Sequence, residues 1–179
     1  GIYTVTVTVA GCTSPTATTS VTVNPIPAAP TASSNSPLCS GQTLNLSATF
    51  VPSATYSWTG PNSFSSSLQN PSIVNATAAA TGIYTVTVTV NGCTSPTATT
   101  SVTVTNAPAA PVATSNSPIC AGQTLTLFAS NIPSASYSWT GPNSFSSSLQ
   151  NPTIPNATTL ASGIYSVTAT VAGCTGPAG

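Results

Sequence analysis

From Ile83 to Val90 the chain alternates β-branched or aromatic residues with threonine, a period of two that predicts a strand with one buried face. The run stops at Asn91-Gly92, a strong short-range hairpin signal, and Thr97 to Val104 reads as the return strand. Upstream, Thr43 to Ala48 alternates again after the turn at Ser40-Gly41, and Ala54 to Gly60 forms the next strand before Pro61-Asn62 breaks it. Ser63 to Ile73 is less regular and reads as one or two short strands around a turn at Asn70-Pro71. No segment places apolar residues at helical spacing between capping signals, so essentially no helix is expected.

The same pattern returns along the chain. Gly1-Ile2-Tyr3 recurs at Gly82-Ile83-Tyr84 and at Gly163-Ile164-Tyr165, and Cys12, Cys93 and Cys174 share that spacing of 81 residues. Cys39 matches Cys120, and Trp58 matches Trp139. The stretch PSATYSWTGPNSFSSSLQNP from Pro52 returns from Pro133 with Thr55 replaced by Ser136. A period of this length exceeds the roughly 20 to 50 residues of solenoid repeats and suits a string of small domains. Residues 1–24 are read as the last two strands of one repeat, 25–105 as a complete repeat, and 106–179 as a repeat lacking its last strand. The joints NPIPAAP (Asn24 to Pro30) and TNAPAAP (Thr105 to Pro111) are proline-rich, which favours extended, semi-rigid spacers. No secretory leader is read at Gly1, so any targeting segment is expected outside this stretch.

Composition then narrows the function. The 179 residues include no Lys, Arg, Asp, Glu or His, whereas about a quarter of an ordinary soluble domain is charged. General acid–base catalysis, catalytic triads and carboxylate-held cations lose their usual residues, so the chain is not expected to be an enzyme or to carry a cofactor or metal. Isolated Ser and Thr without a base are not nucleophiles. With no cation, neither nucleic acid nor an anionic membrane surface is an expected partner. The chain is 40% hydrophobic with a mean hydropathy of +0.28, too apolar for a disordered segment. Ser or Thr interrupts every apolar run, so membrane insertion is not expected either.

About seven short strands in some 80 residues predict an all-β chain of tandem Greek-key β-sandwiches. The residues also resemble a family. Gly41-x-x-Leu44-x-Leu46-x-Ala48, then Trp58, then Gly82-x-Tyr84-x-Val86 is similar to the B, C and F strands of immunoglobulin-like domains, with Tyr84 at the tyrosine-corner position. The longer pattern CSGQTLNLSA, YSWTGPNSF, LQNPSI, GIYTVTVTVNGC resembles Ig-like and PKD-like repeats of large secreted surface proteins of Bacteroidota. That resemblance implies an extracellular or cell-surface location. Ala48 and Val86 stand where antibody domains place their disulfide, so cohesion between sheets falls to packing. The expected core is Leu44, Leu46, Trp58, Tyr84 and Val86, with Leu127, Trp139, Tyr165 and Val167 as the counterparts of four of these one repeat on.

Five cysteines carry the covalent chemistry: Cys12, Cys39, Cys93, Cys120 and Cys174. In a secreted repeat, cysteines at fixed places are more often bridged than free. On the Ig topology Cys39 lies before strand B at one pole and Cys93 lies after strand F at the other. About 30 Å of strand separates the poles, and a disulfide tolerates Cα separations only up to about 7 Å. Head-to-tail stacking instead brings Cys39 towards Cys174, and this is the favoured pair. The alternative of Cys39–Cys93 with Cys120–Cys174 inside single repeats stays open, as do free or interchain thiols. A zinc site lacks CxxC spacing.

Trp58 and Trp139 are read as core residues rather than sugar-stacking platforms, and Phe64 and Phe145 in the GPNSF turns as the more exposed aromatics. Asn45, Asn75 and Asn156 fit the N-x-[ST] acceptor pattern, which arises by chance in so Ser/Thr-rich a chain. Two functional readings remain. The first is a section of a long extracellular fibre or stalk, whose partners are neighbouring repeats and, through lateral self-association, other chains. The other is an adhesin or carbohydrate-binding surface repeat, although no residue singles out a carbohydrate site.

Overall fold

The computed structural model describes residues 1–179. Four short strands come first: β1 (Ile2–Val5), β2 (Thr8–Val9), β3 (Cys12–Thr13) and β4 (Ala17–Ser20). The central sandwich holds β5 (Ala32–Ser34), β6 (Leu38–Cys39), β7 (Leu44–Ala48), β8 (Thr55–Gly60), β9 (Phe64–Ser66), β10 (Ser72–Ile73), β11 (Gly82–Val90), β12 (Cys93–Thr94), β13 (Ala98–Val102) and β14 (Val104–Thr105). The third holds β15 (Ala113–Ser115), β16 (Leu125–Ala129), β17 (Ser136–Gly141), β18 (Phe145–Ser147), β19 (Thr153–Ile154), β20 (Ser166–Val171) and β21 (Cys174–Thr175). Helix is confined to single 3-10 turns at Ala78–Ala80, Pro142–Ser144 and Thr159–Ala161.

In the central unit one sheet runs β10-β7-β5 and the other runs β9-β8-β11 with β12 and β13 on its far edge, all antiparallel. The alternation of β11 decides which face each residue takes. Tyr84, Val86 and Val88 point inward and are fully buried, while Thr85, Thr87 and Thr89 face outward. Across the sheet, outward hydroxyls pair: Thr59 Oγ1 with Thr85 Oγ1 at 2.7 Å and Thr89 Oγ1 with Thr94 Oγ1 at 3.0 Å. Such cross-strand threonine pairs stabilise a sheet by a few tenths of a kcal/mol to about 1 kcal/mol each.

Leu44, Leu46, Trp58, Tyr84 and Val86 form one buried cluster with Ala48, Tyr56, Val88, Val102 and Val104. In the third sandwich Leu127, Trp139 and Val167 are buried, whereas Tyr165 is half-buried. Polar atoms inside find neutral partners. Trp58 Nε1 donates to Gln69 O at 3.3 Å, Tyr84 OH to Ala80 O at 3.0 Å, and Gln69 Nε2 to Ala48 O at 2.8 Å. No buried side-chain nitrogen or oxygen is left without a partner. A chain without ions thus avoids the cost of about 1–3 kcal/mol for each orphaned polar group.

The return strand departs from the sequence expectation. Thr97 to Val104 reads as one strand, but the structure divides it in two places. Thr89 faces Thr94 and Val86 faces Ala98, so three residues of the return strand oppose two of β11, a β-bulge at Ser95-Pro96-Thr97. Pro96 has no N–H to give the ladder, and buried Ser95 compensates: its N–H donates to Val88 O at 2.9 Å and its Oγ accepts from Val88 N at 3.1 Å. The second interruption is Thr103, whose N–H donates to Ser36 Oγ at 2.8 Å. Beyond it β14 leaves β11 and pairs in parallel with β6 as a separate two-stranded ladder, Val104 with Leu38 and Thr105 with Cys39.

Candidate functional site: a cysteine-bridged joint between sandwiches

The tip of each β11-type hairpin is built for a tight turn. Asn91 and Gly92 both have positive φ, 49° and 80°, the backbone of a two-residue hairpin turn for which Asn-Gly is well suited. The matching tips carry Ala10 and Ala172 at φ 50° and 48°, where an alanine is disfavoured by about 1–2 kcal/mol. Immediately after each tip comes a cysteine, placed at the extreme end of its sandwich.

At the opposite pole, pairing with Thr105 fixes Cys39 beside the exit of its own sandwich. Cys39 N donates to Gln42 Oε1 at 2.9 Å, and Ser40 N to Thr105 O at 2.9 Å. The structure joins Cys39 of the central sandwich to Cys174 of the third, with Cα atoms 5.6 Å apart and a sequence separation of 135 residues. Cys12, Cys93 and Cys120 carry free thiols. Neither bond of the intradomain alternative, Cys39–Cys93 or Cys120–Cys174, is therefore present.

The linker is part of the joint. Cys174 Sγ lies 3.6 Å from Thr105 O, and Pro111 is fully buried against the third sandwich. A side chain at Gly176 would strike the Pro108 carbonyl. The preceding joint repeats this contact: Cys93 Sγ lies 3.6 Å from Asn24 O, and Asn24 Nδ2 donates to Asn91 O at 3.1 Å. Cys93 and Cys174 therefore sit alike on the linker leading into their own sandwich. Cys120 is exposed at the position corresponding to Cys39.

The aromatic candidates fall elsewhere. Trp58 and Trp139 are buried and present no face to a sugar ring. Phe64 and Phe145 are half-buried, each edge-on to Tyr84 or Tyr165 with ring centroids 5.5 Å apart. Burial raises the phenol pKa of both tyrosines above the ordinary value of 10.0. There is no group of three or more metal-ligating side chains and no helix long and apolar enough to cross a membrane. What the sequence reading missed is the support around the joint, in which Thr81 and Ser36 hold β14 against β6; only β14's partners in space reveal it.

Among solved structures, the chain is similar to one in the crystal structure of mouse coronavirus receptor-binding domain complexed with its murine receptor, with a TM-score of 0.55 and 15% identity. Murine CEACAM1b gives 0.52 and 16%. Each comparison covers 83% of this chain and 96% of the other. At such identities the likeness is one of fold, an immunoglobulin-like β-sandwich. No protein-family model and no curated protein matches the sequence.

Proposed function

We propose that this chain is a structural section of a long extracellular fibre or stalk, built from head-to-tail Ig-like domains that are stapled to one another by disulfides. The single observation that carries the reading is the Cys39–Cys174 bond, which links two sandwiches rather than the two sheets of one. Under this reading residues 1–24, 25–105 and 106–179 are successive units of one array. Cys12, Cys93 and Cys120 are then halves of further staples, whose other halves lie in neighbouring units.

The chemistry suits a load-bearing spacer. A disulfide closing a loop of this length restricts the unfolded chain by roughly 5 kcal/mol on chain-entropy grounds, and it also stops the two sandwiches from swinging about a proline-rich linker. Oxidised cysteines are at home outside the reducing cytosol. Absence of charge removes the repulsion that would keep chains apart, which favours lateral self-association through the hydroxyl-bearing faces. Burial of both tryptophans weighs against a sugar-binding platform, and the missing acids, bases and imidazoles weigh against an enzyme.

Peptide mapping without reductant tests the staple directly. Trypsin has no site in this sequence, so chymotrypsin or thermolysin is the tool. A Cys39 peptide linked to a Cys174 peptide is expected, and linkage of Cys39 to Cys93 would overturn the reading. Electron microscopy of native material should then show periodic globules along a filament. Single flexible chains ending in a distinct tip domain would favour the adhesin instead.

A further inference from the structure

Asn91-Gly92 is the one Asn-Gly pair in the chain; every other asparagine is followed by Ser, Ala, Pro, Leu or Ile. The pair forms the exposed tip of the β11–β12 hairpin. Asparagine has a chemistry of its own in this setting. The main-chain nitrogen of the next residue can attack the side-chain carboxamide carbon, and a following glycine has no Cβ to crowd that approach. A Cβ built at Gly92 would meet nothing within 4 Å, so the glycine side of the tip is open as well.

Three features leave the pair free to react. The Gly92 N–H lies outside the ladder, which ends at Val90 and Cys93. No hydrogen bond holds the Asn91 carboxamide; the bond that reaches this residue from elsewhere in the chain runs from Asn24 Nδ2 to its main-chain O, at 3.1 Å. The tip is also lightly tied. Beyond the bulge at Ser95-Pro96-Thr97 only Thr89 with Thr94 and Val90 with Cys93 are paired. The turn, with φ of 49° at Asn91 and 80° at Gly92, can therefore open locally without disturbing the core, and opening lets the Gly92 nitrogen swing towards the carboxamide.

We propose that Asn91 is a self-modifying site, whose deamidation recasts the contact between the hairpin tip and the linker at Asn24. Gly92 N bonds to Asn91 Cγ, the Gly92 amide proton and the carboxamide NH2 leave together as ammonia, and a five-membered imide closes. Water then opens the ring. Opening at Cγ gives aspartate, while opening at the main-chain carbonyl carbon gives isoaspartate, whose backbone runs on through Cβ and Cγ. Either product places a carboxylate in a chain that has no Asp, Glu, Lys, Arg or His. In isoaspartate the oxygen that Asn24 Nδ2 meets becomes part of that carboxylate, and the extra backbone carbon does not fit a two-residue turn. Cys93 Sγ, 3.6 Å from Asn24 O, then loses the fixed tip that sets it on the linker. Ala10 and Ala172 occupy the matching tips and have no amide to lose, so equivalent joints of one chain age differently.

The inference does not rest on the fibre reading and is tested apart from it. The 179-residue chain is incubated at about pH 8 and 37 °C; anion exchange separates the form that has gained a carboxylate, and fragment mass spectrometry locates the change. Conversion at Asn91 is expected to be at least about tenfold faster than at Asn35-Ser36 or Asn62-Ser63, where the following residue carries a Cβ. Asn91→Ala, the residue of the matching tips, should abolish this early conversion, and Ala172→Asn should add a second reactive site on the third sandwich. Conversion at Asn91 no faster than at those Asn-Ser pairs overturns the proposal. Hydrogen exchange of the separated form reads the tip. Faster exchange at Val90 and Cys93 than in the starting chain is expected, and unchanged exchange there overturns the recasting of the contact.

Discussion

Cys39 and Cys174 belong to different sandwiches and are 135 residues apart in sequence, yet their Cα atoms stand 5.6 Å from each other. Two features deliver them there: the parallel β6–β14 pairing places Cys39 at the exit of one unit, and a tight hairpin tip places Cys174 at the entrance of the next.

Removing either cysteine should have the same effect as removing both, because the two residues share one bond. Cys39→Ser, Cys174→Ser and the double variant are each expected to lower thermal stability equally, by at most about 5 kcal/mol. Small-angle scattering should record a larger radius of gyration as the linker hinges. Additive losses in the double variant would show that the two residues act independently.

Gly60 touches the face of the Tyr84 ring so closely that a Cβ there would overlap it, and Gly141 meets Tyr165 in the same way. Gly60→Ala should therefore destabilise the central sandwich by about 1–3 kcal/mol through overpacking. Gly141→Ala should destabilise the third sandwich in the same way, because its Cβ meets Tyr165 just as closely. Chemical denaturation of the two variants compares them.

Ala172 holds a left-handed conformation at φ 48° on an exposed hairpin tip, where the central unit uses Asn91. Ala172→Asn should stabilise the third sandwich by about 0.5–1 kcal/mol. A midpoint unchanged in urea would contradict that assignment of strain.

Ser95→Ala removes the hydroxyl that accepts the Val88 N–H at the bulge. The buried donor is left without a partner at a cost of about 1–3 kcal/mol. Faster hydrogen exchange at Val88 is the local signature.

Stability should be flat from about pH 4 to 8, since no side-chain acid, imidazole or amine titrates there. The alkaline limb is set by Tyr84 and Tyr165, whose phenols burial holds protonated beyond their ordinary range. A folded pKa above the unfolded one means that the unfolded state releases its proton first. Stability is then whole below about pH 10 and falls as pH rises through the folded values. A melting temperature that moved strongly between pH 4 and 8, or with a calcium chelator, would contradict this account.

Hydrophobic alternation is enough to specify the strands and their faces. Alternation in Gly82 to Val90 decides that Tyr84, Val86 and Val88 go inside, because a one-residue slip would turn every threonine into the core. The recurrence of Cys, Trp and Tyr at a fixed spacing settles that the second sandwich is rebuilt in the third. Where the return strand breaks and changes partners is set by contacts distant in sequence. The bulge at Pro96 and the crossing at Thr103 depend on Val88, Ser36 and Thr81, partners far away along the chain, and local preference carries no record of them.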